Sequence, residues 1–327
     1  MKKFLFIFII LLSTRIVEAQ TRPEIKNLVF EGAGIRGIAY CGAIQELEAK
    51  NMMGNIEKVG GTSSGAVVAM MLSLGYSGRD IEGLITKTKF KKLNDGGFFF
   101  IGGINRIKKY FGWYKGKKAE KWLGKIIAEK TGNADITFKE LYEKGLNDLY
   151  VTGTSLTKQK PVIFCRETYP NMKVLDAVRI SISIPLYFEP VFIDSNGRVV
   201  YHPKQKQGLD VFVDGGIVEN FPIHIFDTAT PDLNTIGFRM DHDAQIESDK
   251  LDRTLAEMEV GNLNEYFRAF YSIVIENLNR QRLTDIDWQR TVSISDGNVQ
   301  PRVRKVLTKE INILIENGRK AVRNRFN

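Results

Sequence analysis

The sequence has few of the residues from which disulfide scaffolds and metal centres are built. Its 327 residues include only 2 cysteines and 3 histidines, and no group of His, Cys or Asp has the spacing of a metal site. Cys41 falls in a predicted helix and Cys165 in a predicted strand, so we expect two buried free thiols. His202, His224 and His242 stand in polar or proline-flanked contexts, where a structural or solvated role is the ordinary interpretation.

The sequence also lacks an apolar run of the ~20 residues needed to cross a bilayer. Its N-terminus has a shorter apolar run, residues 4–12, which follows Lys2 and Lys3. A small residue suited to a signal-peptidase cleavage site, Ala19, stands after this run. This pattern predicts a secretory signal peptide over residues 1–19, cleaved after Ala19; a retained anchor is the alternative. We therefore expect export to the periplasm, the medium or a membrane surface.

Acidic residues are outnumbered, 38 against 47 Lys and Arg, which gives a formal charge of +9. A basic chain suits an anionic partner such as a phospholipid surface or nucleic acid. Aromatic residues and lysines interleave over residues 91–118, where Phe98, Phe99 and Phe100 are consecutive. We expect a lid or membrane-docking segment there, with a core-packed loop as the alternative. The mixture also fits single-stranded nucleic acid, but no recognisable binding module surrounds it, so no nucleic-acid partner is predicted.

One stretch reads as a strand that runs through a sharp turn directly into a helix. Gly61-Thr62-Ser63-Ser64-Gly65 has G-x-S-x-G spacing, which puts Ser63 at the apex, where a side chain on either flanking glycine would collide with the neighbouring strand or helix. The helix predicted over residues 66–74 would point its N-terminus at the Ser63 hydroxyl. The pattern predicts a nucleophile for acyl transfer; the alternative is a Gly/Ser turn between two buried elements.

A glycine-rich turn, Gly32-Ala33-Gly34-Ile35-Arg36-Gly37, separates a strand predicted over residues 27–30 from a helix predicted over 38–50. Its G-x-G-x-x-G pattern raises the alternative of a dinucleotide-binding unit, which needs an acidic residue at the end of the next strand. That strand ends in Ser63 instead. The turn can also supply backbone N–H groups to an oxyanion hole, each contributing about 3 kcal/mol to the transition state. Arg36 either adds positive charge there or is a plain surface arginine.

The base for such a serine is predicted to be a carboxylate. Asp214 ends a buried strand predicted over residues 211–213, and Gly215 and Gly216 clear the space in front of it. A carboxylate held there, with its pKa raised by burial, can accept the Ser63 proton directly. On this motif alone, an aspartate that begins an ordinary Asp-Gly turn is the alternative.

Taken in their order along the chain, the three motifs resemble those of the patatin-like phospholipases. That family carries a glycine-rich oxyanion loop, a G-x-S-x-G serine and an Asp-Gly-Gly aspartate, which correspond here to residues 32–37, Ser63 and Asp214. Residues 181–190 match the family's Ser, Pro, Phe, Pro pattern, and residues 220–222 follow the aspartate at the familiar distance. Two positions depart from the family, and the departures are Ala33, where the oxyanion loop commonly has glycine, and Ile180, where alanine is frequent.

The resemblance implies an α/β fold, a three-layer α/β/α sandwich with a mostly parallel central sheet, over residues 26–240. A helical extension over residues 241–327 would pack on this core, with helices predicted over 257–279 and 304–325 and a strand over 291–294. It also implies a lipid acyl hydrolase of the phospholipase A or lysophospholipase type, acting through a Ser63-Asp214 dyad without metal or cofactor. The alternatives are an α/β-hydrolase that uses His242 as base, and a secreted lipid-binding or effector protein without turnover.

Overall fold

The structure is a computed structural model that describes residues 24–96, 100–273, 277–299 and 307–327. The predicted signal peptide and two of the three consecutive phenylalanines, Phe98 and Phe99, lie outside the described residues. Strands and helices alternate along most of the chain, as the sequence predicts. The strands are β1 (Asn27–Phe30), β2 (Lys58–Gly61), β3 (Gly112–Tyr114), β4 (Asp148–Ser155), β5 (Lys160–Phe164), β6 (Leu186–Phe188), β7 (Val191–Ile193), β8 (Val199–Val200), β9 (Asp210–Asp214), β10 (Thr235–Asp241) and β11 (Thr291–Ser295).

The helices flank a central sheet and are bounded as follows: α1 (Ala39–Ala49), α2 (Ser64–Ser73), α3 (Gly78–Lys87), α4 (Phe100–Tyr110), α5 (Lys117–Thr131), α6 (Phe138–Glu143), α7 (Val174–Ser181), α8 (Asp243–Leu251), α9 (Leu263–Tyr271), α10 (Asn277–Arg280), α11 (Asp285–Gln289) and α12 (Thr308–Phe326). Short 3-10 turns occupy Gly34–Ile38, Phe90–Leu93 and Gly215–Ile217.

Nine strands form the central sheet in the order β11-β10-β1-β2-β4-β9-β7-β8, with β5 paired to β4. The first five strands of this order run parallel, whereas β9, β7 and β8 pair antiparallel beyond β4. The predicted fold class, an α/β architecture with a mostly parallel central sheet and flanking helices, is confirmed. Strand β2 ends at Gly61, which pairs with Val151 of β4, and β9 brings its last residue, Asp214, opposite Gly153, two residues further along β4.

Both faces of the sheet are covered by apolar side chains, as expected for strands in a parallel sheet. Successive residues of β1 point to opposite faces: Leu28 and Phe30 join the larger core cluster, whereas Val29 packs with Tyr150 and Phe226 in a smaller one. The predicted thiols are buried and unbridged. The strand β1 is therefore central, and the loops at its carboxyl end and that of β2 are held by core packing on both sides.

The segment after residue 240 contributes more to the sheet than the predicted helical extension implied. The strand predicted over 291–294 is present as β11, but it pairs in parallel with β10 and forms an edge of the central sheet. Helix α12 packs so closely on α1 that a Cβ on Gly42 would lie 1.9 Å from the Ile315 carbonyl oxygen. The helix predicted from Glu257 begins at Leu263 instead, and residues 253–261 before it form no regular structure.

The segment predicted as a lid, residues 91–118, contains regular structure that the sequence analysis missed. It includes α4 and the short strand β3, which pairs in parallel with β6. Trp113 packs over the backbone of Gly103, while Phe111 is 44 % exposed. The described part of the segment is thus a mixture of packed and exposed aromatics. Among the described residues, no helix combines the length and the hydropathy needed to span a bilayer.

Candidate active site

The turn between β2 and α2 holds Ser63 in a conformation that non-glycine residues rarely adopt. Its φ is 53° and its ψ is −122°, and α2 begins at the next residue. The close approach of strand and helix explains both glycines of the motif, because a Cβ on Gly65 would lie 2.3 Å from the Phe30 carbonyl oxygen and one on Gly61 2.6 Å from the Gly65 backbone. The backbone therefore carries strain of about 1–3 kcal/mol that presents one hydroxyl beyond the strand end.

Asp214 meets this hydroxyl directly. The Ser63 Oγ donates to Asp214 Oδ2 at 2.7 Å, and the other carboxylate oxygen accepts the Gly216 N–H at 2.8 Å. Asp214 is 5 % exposed, and its burial raises its pKa from 3.8 to about 7, although the bonds from Gly216 and Ser63 act in the opposite direction. A carboxylate with this pKa is basic enough to remove a proton from an attacking hydroxyl near neutral pH.

Helix α7 ends against the two residues and fixes their backbones. The Ser181 Oγ accepts the Ser63 N–H at 2.9 Å, and the Ser183 carbonyl accepts the Asp214 N–H at 2.9 Å. The Arg179 guanidinium, buried one turn earlier, donates to the Ser183 hydroxyl. Ser181 was noted in the sequence only as part of a family pattern, and its contact spans 118 residues, so no local signal indicated this role.

The glycine-rich loop lies against Ser63 and offers two backbone donors. A Cβ on Gly32 would lie 3.2 Å from the Ser63 Cβ, which places the loop in contact with the elbow. The Ala33 N–H donates to the Ser64 Oγ at 3.0 Å, so it is not available to a ligand. The N–H groups of Gly34 and Ile35 start the 3-10 turn over Gly34–Ile38, and neither donates to another atom of the described chain.

Asn220 joins the loop to the segment after Asp214. Its Nδ2 donates to the Gly32 carbonyl at 3.0 Å, and its own carbonyl accepts the Gly32 N–H at 3.0 Å. The Thr62 hydroxyl makes a similar tie, because it donates to the Glu219 carbonyl at 2.8 Å. Asn220 in turn is held by Asn279, whose Oδ1 accepts the Asn220 N–H at 2.9 Å. The three predicted motifs are therefore brought together by direct hydrogen bonds.

The structure places the Arg36 side chain in an ion pair, a contact that the sequence analysis did not consider. Its guanidinium forms a 3.1 Å ion pair with Asp296, which follows β11, and is mostly buried. The pair ties the glycine-rich loop to the C-terminal part of the chain. We read Arg36 as a residue that positions the loop, since its charge is already neutralised by Asp296.

The histidines lie apart from the dyad, although one belongs to a group of ligand-type side chains. Within the described residues no histidine hydrogen-bonds to Ser63 or Asp214. His224 bonds to Asp287 at 2.8 Å, and these two with Asp227 bring possible ligand atoms within 4.8 Å of one another. Arg290 donates to both carboxylates and already supplies the positive charge between them. This group is explained as an ion-pair cluster. Burial acts to raise the pKa of Asp287, but hydrogen bonds from Arg290 and Thr284 outweigh it and lower that pKa.

Comparison with known proteins shows to which family the chain is similar. The family model described as patatin-like phospholipase matches residues 28–227. The chain is 33 % identical over 208 residues to the uncharacterized protein YqhO of Bacillus subtilis, covering 61 % of this chain and 65 % of that protein. It is 31 % identical over 207 residues to the probable lipid hydrolase 463L of Invertebrate iridescent virus 6, covering 61 % and 62 %. The chain thus spans somewhat under two thirds of these relatives.

The fold also resembles a solved structure. The crystal structure of VipD from Legionella pneumophila aligns with a TM-score of 0.59 at 18 % identity, covering 93 % of this chain and 67 % of that one. This likeness shows the fold alone, because the identity is low. The match of the family model extends over more than half of the chain and includes all three motifs. On that evidence the chain belongs to the patatin-like phospholipase family.

Proposed function

We propose that this chain hydrolyses carboxylic esters of lipids, with Ser63 as the nucleophile and Asp214 as the general base. The observation that carries the proposal is the 2.7 Å hydrogen bond from the Ser63 Oγ to a buried carboxylate whose pKa is about 7. Two oxygens at this distance need no histidine between them for proton transfer. The family supports lipid ester hydrolysis in general terms, and the Ser63–Asp214 contact supports the mechanism that we propose for it.

In the proposed reaction the Ser63 Oγ attacks the acyl carbonyl while Asp214 takes the hydroxyl proton. The tetrahedral intermediate expels the alcohol, which leaves with the proton from Asp214, and Ser63 remains acylated. Water then attacks the acyl-enzyme and gives its proton to Asp214, which passes it to the Ser63 Oγ as the second tetrahedral intermediate breaks down to a fatty acid and free Ser63. The negative oxygen of each intermediate is held by the N–H groups of Gly34 and Ile35, the two loop donors without a partner in the described chain.

The first test is covalent labelling with a lipid-like fluorophosphonate, followed by peptide mapping. We expect one adduct, on the peptide that contains Ser63, and none with Ser63→Ala. Ser73→Ala is the matched control, because Ser73 is a buried serine at the end of α2, the helix that follows Ser63, and its hydroxyl donates to the Asn147 carbonyl, away from the dyad. Labelling of another residue in Ser63→Ala would contradict the assignment. No adduct on folded protein would favour a lipid-binding protein without turnover.

We also propose that the chain contacts a membrane surface through the segment 91–118. Two observations support this. Phe111, just before β3, is 44 % exposed, and Leu186, in the neighbouring strand β6, is 61 % exposed. The ammonium group of Lys206 lies 4.2 Å from the centre of the Phe111 ring. Exposed aromatic and aliphatic side chains beside lysines suit the interface of an anionic bilayer.

Vesicle and soluble substrates distinguish this role from a packing role. Phe111 has a φ of 63°, a conformation that asparagine tolerates, so Phe111→Asn removes the ring without straining the backbone. We expect Phe111→Asn with Leu186→Ser to lower hydrolysis of anionic vesicles at least tenfold and to leave a soluble short-chain ester within twofold. Equal losses on both substrates would show that the two side chains serve the fold.

The proposed route to that surface is export directed by residues 1–19. Intact-mass analysis of the protein recovered from its native cell envelope or medium tests it, with Gln20 expected at the mature N-terminus. Recovery of the chain with residues 1–19 attached would contradict cleavage.

A further inference from the structure

A cavity lies away from the dyad, between α5, α7 and the outer strands of the sheet. It has a volume of about 720 Å³, and neither Ser63 nor Asp214 lines it. This volume falls within the range of about 300–1,000 Å³ typical of small-molecule sites. Its inner wall is apolar and comes from α7 and from strands β7 and β8, with side chains of Leu175, Val191, Phe192, Val199 and Val200.

The rim of the cavity is strongly cationic. Lys117, Lys121 and Lys125 follow one another at every fourth residue of α5, so they lie on one face of that helix, and all three are exposed. Lys115 and Lys206 add two more ammonium groups to the lining. Within the described residues, no carboxylate lies within ion-pair distance of Lys115 or of the three lysines of α5.

The carboxylates that line the cavity are already engaged. Glu120 pairs with the buried Arg179 at 3.3 Å, and Glu189 pairs with Arg106. Asp176 accepts a hydrogen bond from the Tyr201 hydroxyl. Two of these acids are thus paired with arginines, and Asp176 alone faces the five lysines of the lining, so the cavity keeps a positive potential.

One titrating group, His202, also lines the cavity. His202 has its pKa lowered, first by burial and then by the positive charges of Lys117 and Lys115. The pocket thus combines an apolar wall with a cationic rim, a combination complementary to one amphiphilic anion rather than to a neutral lipid.

We propose that this cavity binds a single anionic lipid, with its acyl chain on the wall formed by α7, β7 and β8 and its headgroup on the lysines of α5. A fatty acid and a lysophospholipid share this chemistry, and their headgroups differ as carboxylate and phosphate. The proposal does not depend on turnover at Ser63. It adds a lipid site that is separate from the dyad and that borders the segment 91–118, because Lys115 and Lys117 belong to both.

The variants used to test this proposal must not disturb the contacts that hold Ser63 and Asp214 in place. Arg179 is unsuitable for substitution because its guanidinium bonds to Ser183, whose carbonyl holds Asp214. The exposed pair Lys121→Glu with Lys125→Glu changes the rim alone. The matched control is Lys139→Glu with Lys144→Glu, an exposed pair at α6 that does not line the cavity and changes the net charge equally.

Binding is measured by calorimetry on the full chain, below the critical micelle concentration, with dodecyl phosphate, dodecanoate, dodecyl maltoside and inorganic phosphate as probes. We expect Lys121→Glu with Lys125→Glu to raise the Kd of one or both anionic amphiphiles at least tenfold and the control pair to change it less than twofold. The tighter of the phosphate and carboxylate probes identifies the headgroup. Unchanged affinity, equal weakening by both pairs, or equally tight binding of the maltoside or of inorganic phosphate would each overturn the proposal.

A second variant fills the cavity without altering charge. Gly124 lies in α5 and lines the cavity, and a Cβ there would meet only the Ala134 Cβ, at 3.6 Å. Gly124→Leu should therefore keep the fold and abolish binding of both anionic probes. Gly83→Leu, at a helix position where a Cβ meets nothing within 4 Å, is its control and should bind normally. Binding retained in Gly124→Leu with an unchanged thermal midpoint would place the lipid elsewhere.

Discussion

Replacement of Asp214 by asparagine should make the protein more stable while it abolishes turnover. In the folded state the pKa of Asp214 is raised from 3.8 to about 7, because burial disfavours the carboxylate. Each unit corresponds to about 1.4 kcal/mol, so keeping Asp214 ionised above pH 7 costs the folded state about 4 kcal/mol. Asparagine carries no charge and can keep both hydrogen bonds, with its Oδ1 accepting from Gly216 and its Nδ2 donating to Ser63.

The raised pKa of Asp214 determines the pH range over which the two proteins differ in stability. Below pH 4 the carboxyl is protonated in both the folded and the unfolded state, so Asp214→Asn and the wild-type chain should be equally stable. As pH rises from about 4 to 7 the unfolded state releases the proton more readily, and wild-type stability falls relative to the variant. Above pH 7 the difference should level off at no more than about 4 kcal/mol.

Urea unfolding of both proteins from pH 4 to pH 9 measures this difference, and kcat/KM on a soluble ester follows the same group. We expect wild-type kcat/KM to rise with pH through a midpoint near 7, and Asp214→Asn to lose about 10⁴-fold, as expected when a buried carboxylate partner is neutralised. A stability difference that is constant with pH, or a less stable variant at pH 8, would refute the raised pKa. Retained turnover would refute the role as base.

Four smaller perturbations test the supports of the site. Ser63→Gly should be about 1 kcal/mol more stable than Ser63→Ala, because glycine adopts a φ of 53° without strain; equal unfolding midpoints would contradict this. Ser181→Ala leaves the Ser63 N–H without its acceptor and should reduce kcat up to about 100-fold with little change in KM. A double-mutant cycle of Arg36→Gln and Asp296→Asn should give a coupling energy of about 0.5–3 kcal/mol in urea unfolding, and additive effects would exclude a functional pair. Gly65→Ala should destabilise by about 1–3 kcal/mol, and a neutral result would mean that the helix can shift.

The sequence predicts those parts of the site that depend on local backbone geometry. A serine between glycines at a strand-to-helix turn, and an aspartate before two glycines, are recognisable because only those residues fit the turn, whatever the rest of the chain does. The structure brings Ser63 and Asp214 into contact across 151 residues, a pairing that rested on family order and not on any local pattern. The same holds for the mostly parallel sheet, which follows from the alternation of strands and helices.

The remaining features depend on contacts between distant segments. The Ala33 N–H donates to the Ser64 Oγ, which leaves the N–H groups of Gly34 and Ile35 as the free donors of the loop. This arrangement depends on side-chain placement that no sequence motif encodes. The position of β11 at an edge of the sheet could not be predicted, because a five-residue strand carries no information about its partner. The described structure within 91–118 was missed because its paired glycines and aromatics look like a loop pattern.

The order of strands has a practical consequence for anyone who shortens this protein. The family match ends at residue 227, but β1 is flanked on one side by β10, residues 235–241, and β10 by β11. A fragment that stopped at the end of the match would leave one whole side of β1 without hydrogen-bond partners, beside the glycine-rich loop. An open, apolar strand edge of this kind invites pairing with another copy of the chain. Such a fragment should precipitate before its chemistry can be assayed, so the last hundred residues belong in any preparation used to study the dyad.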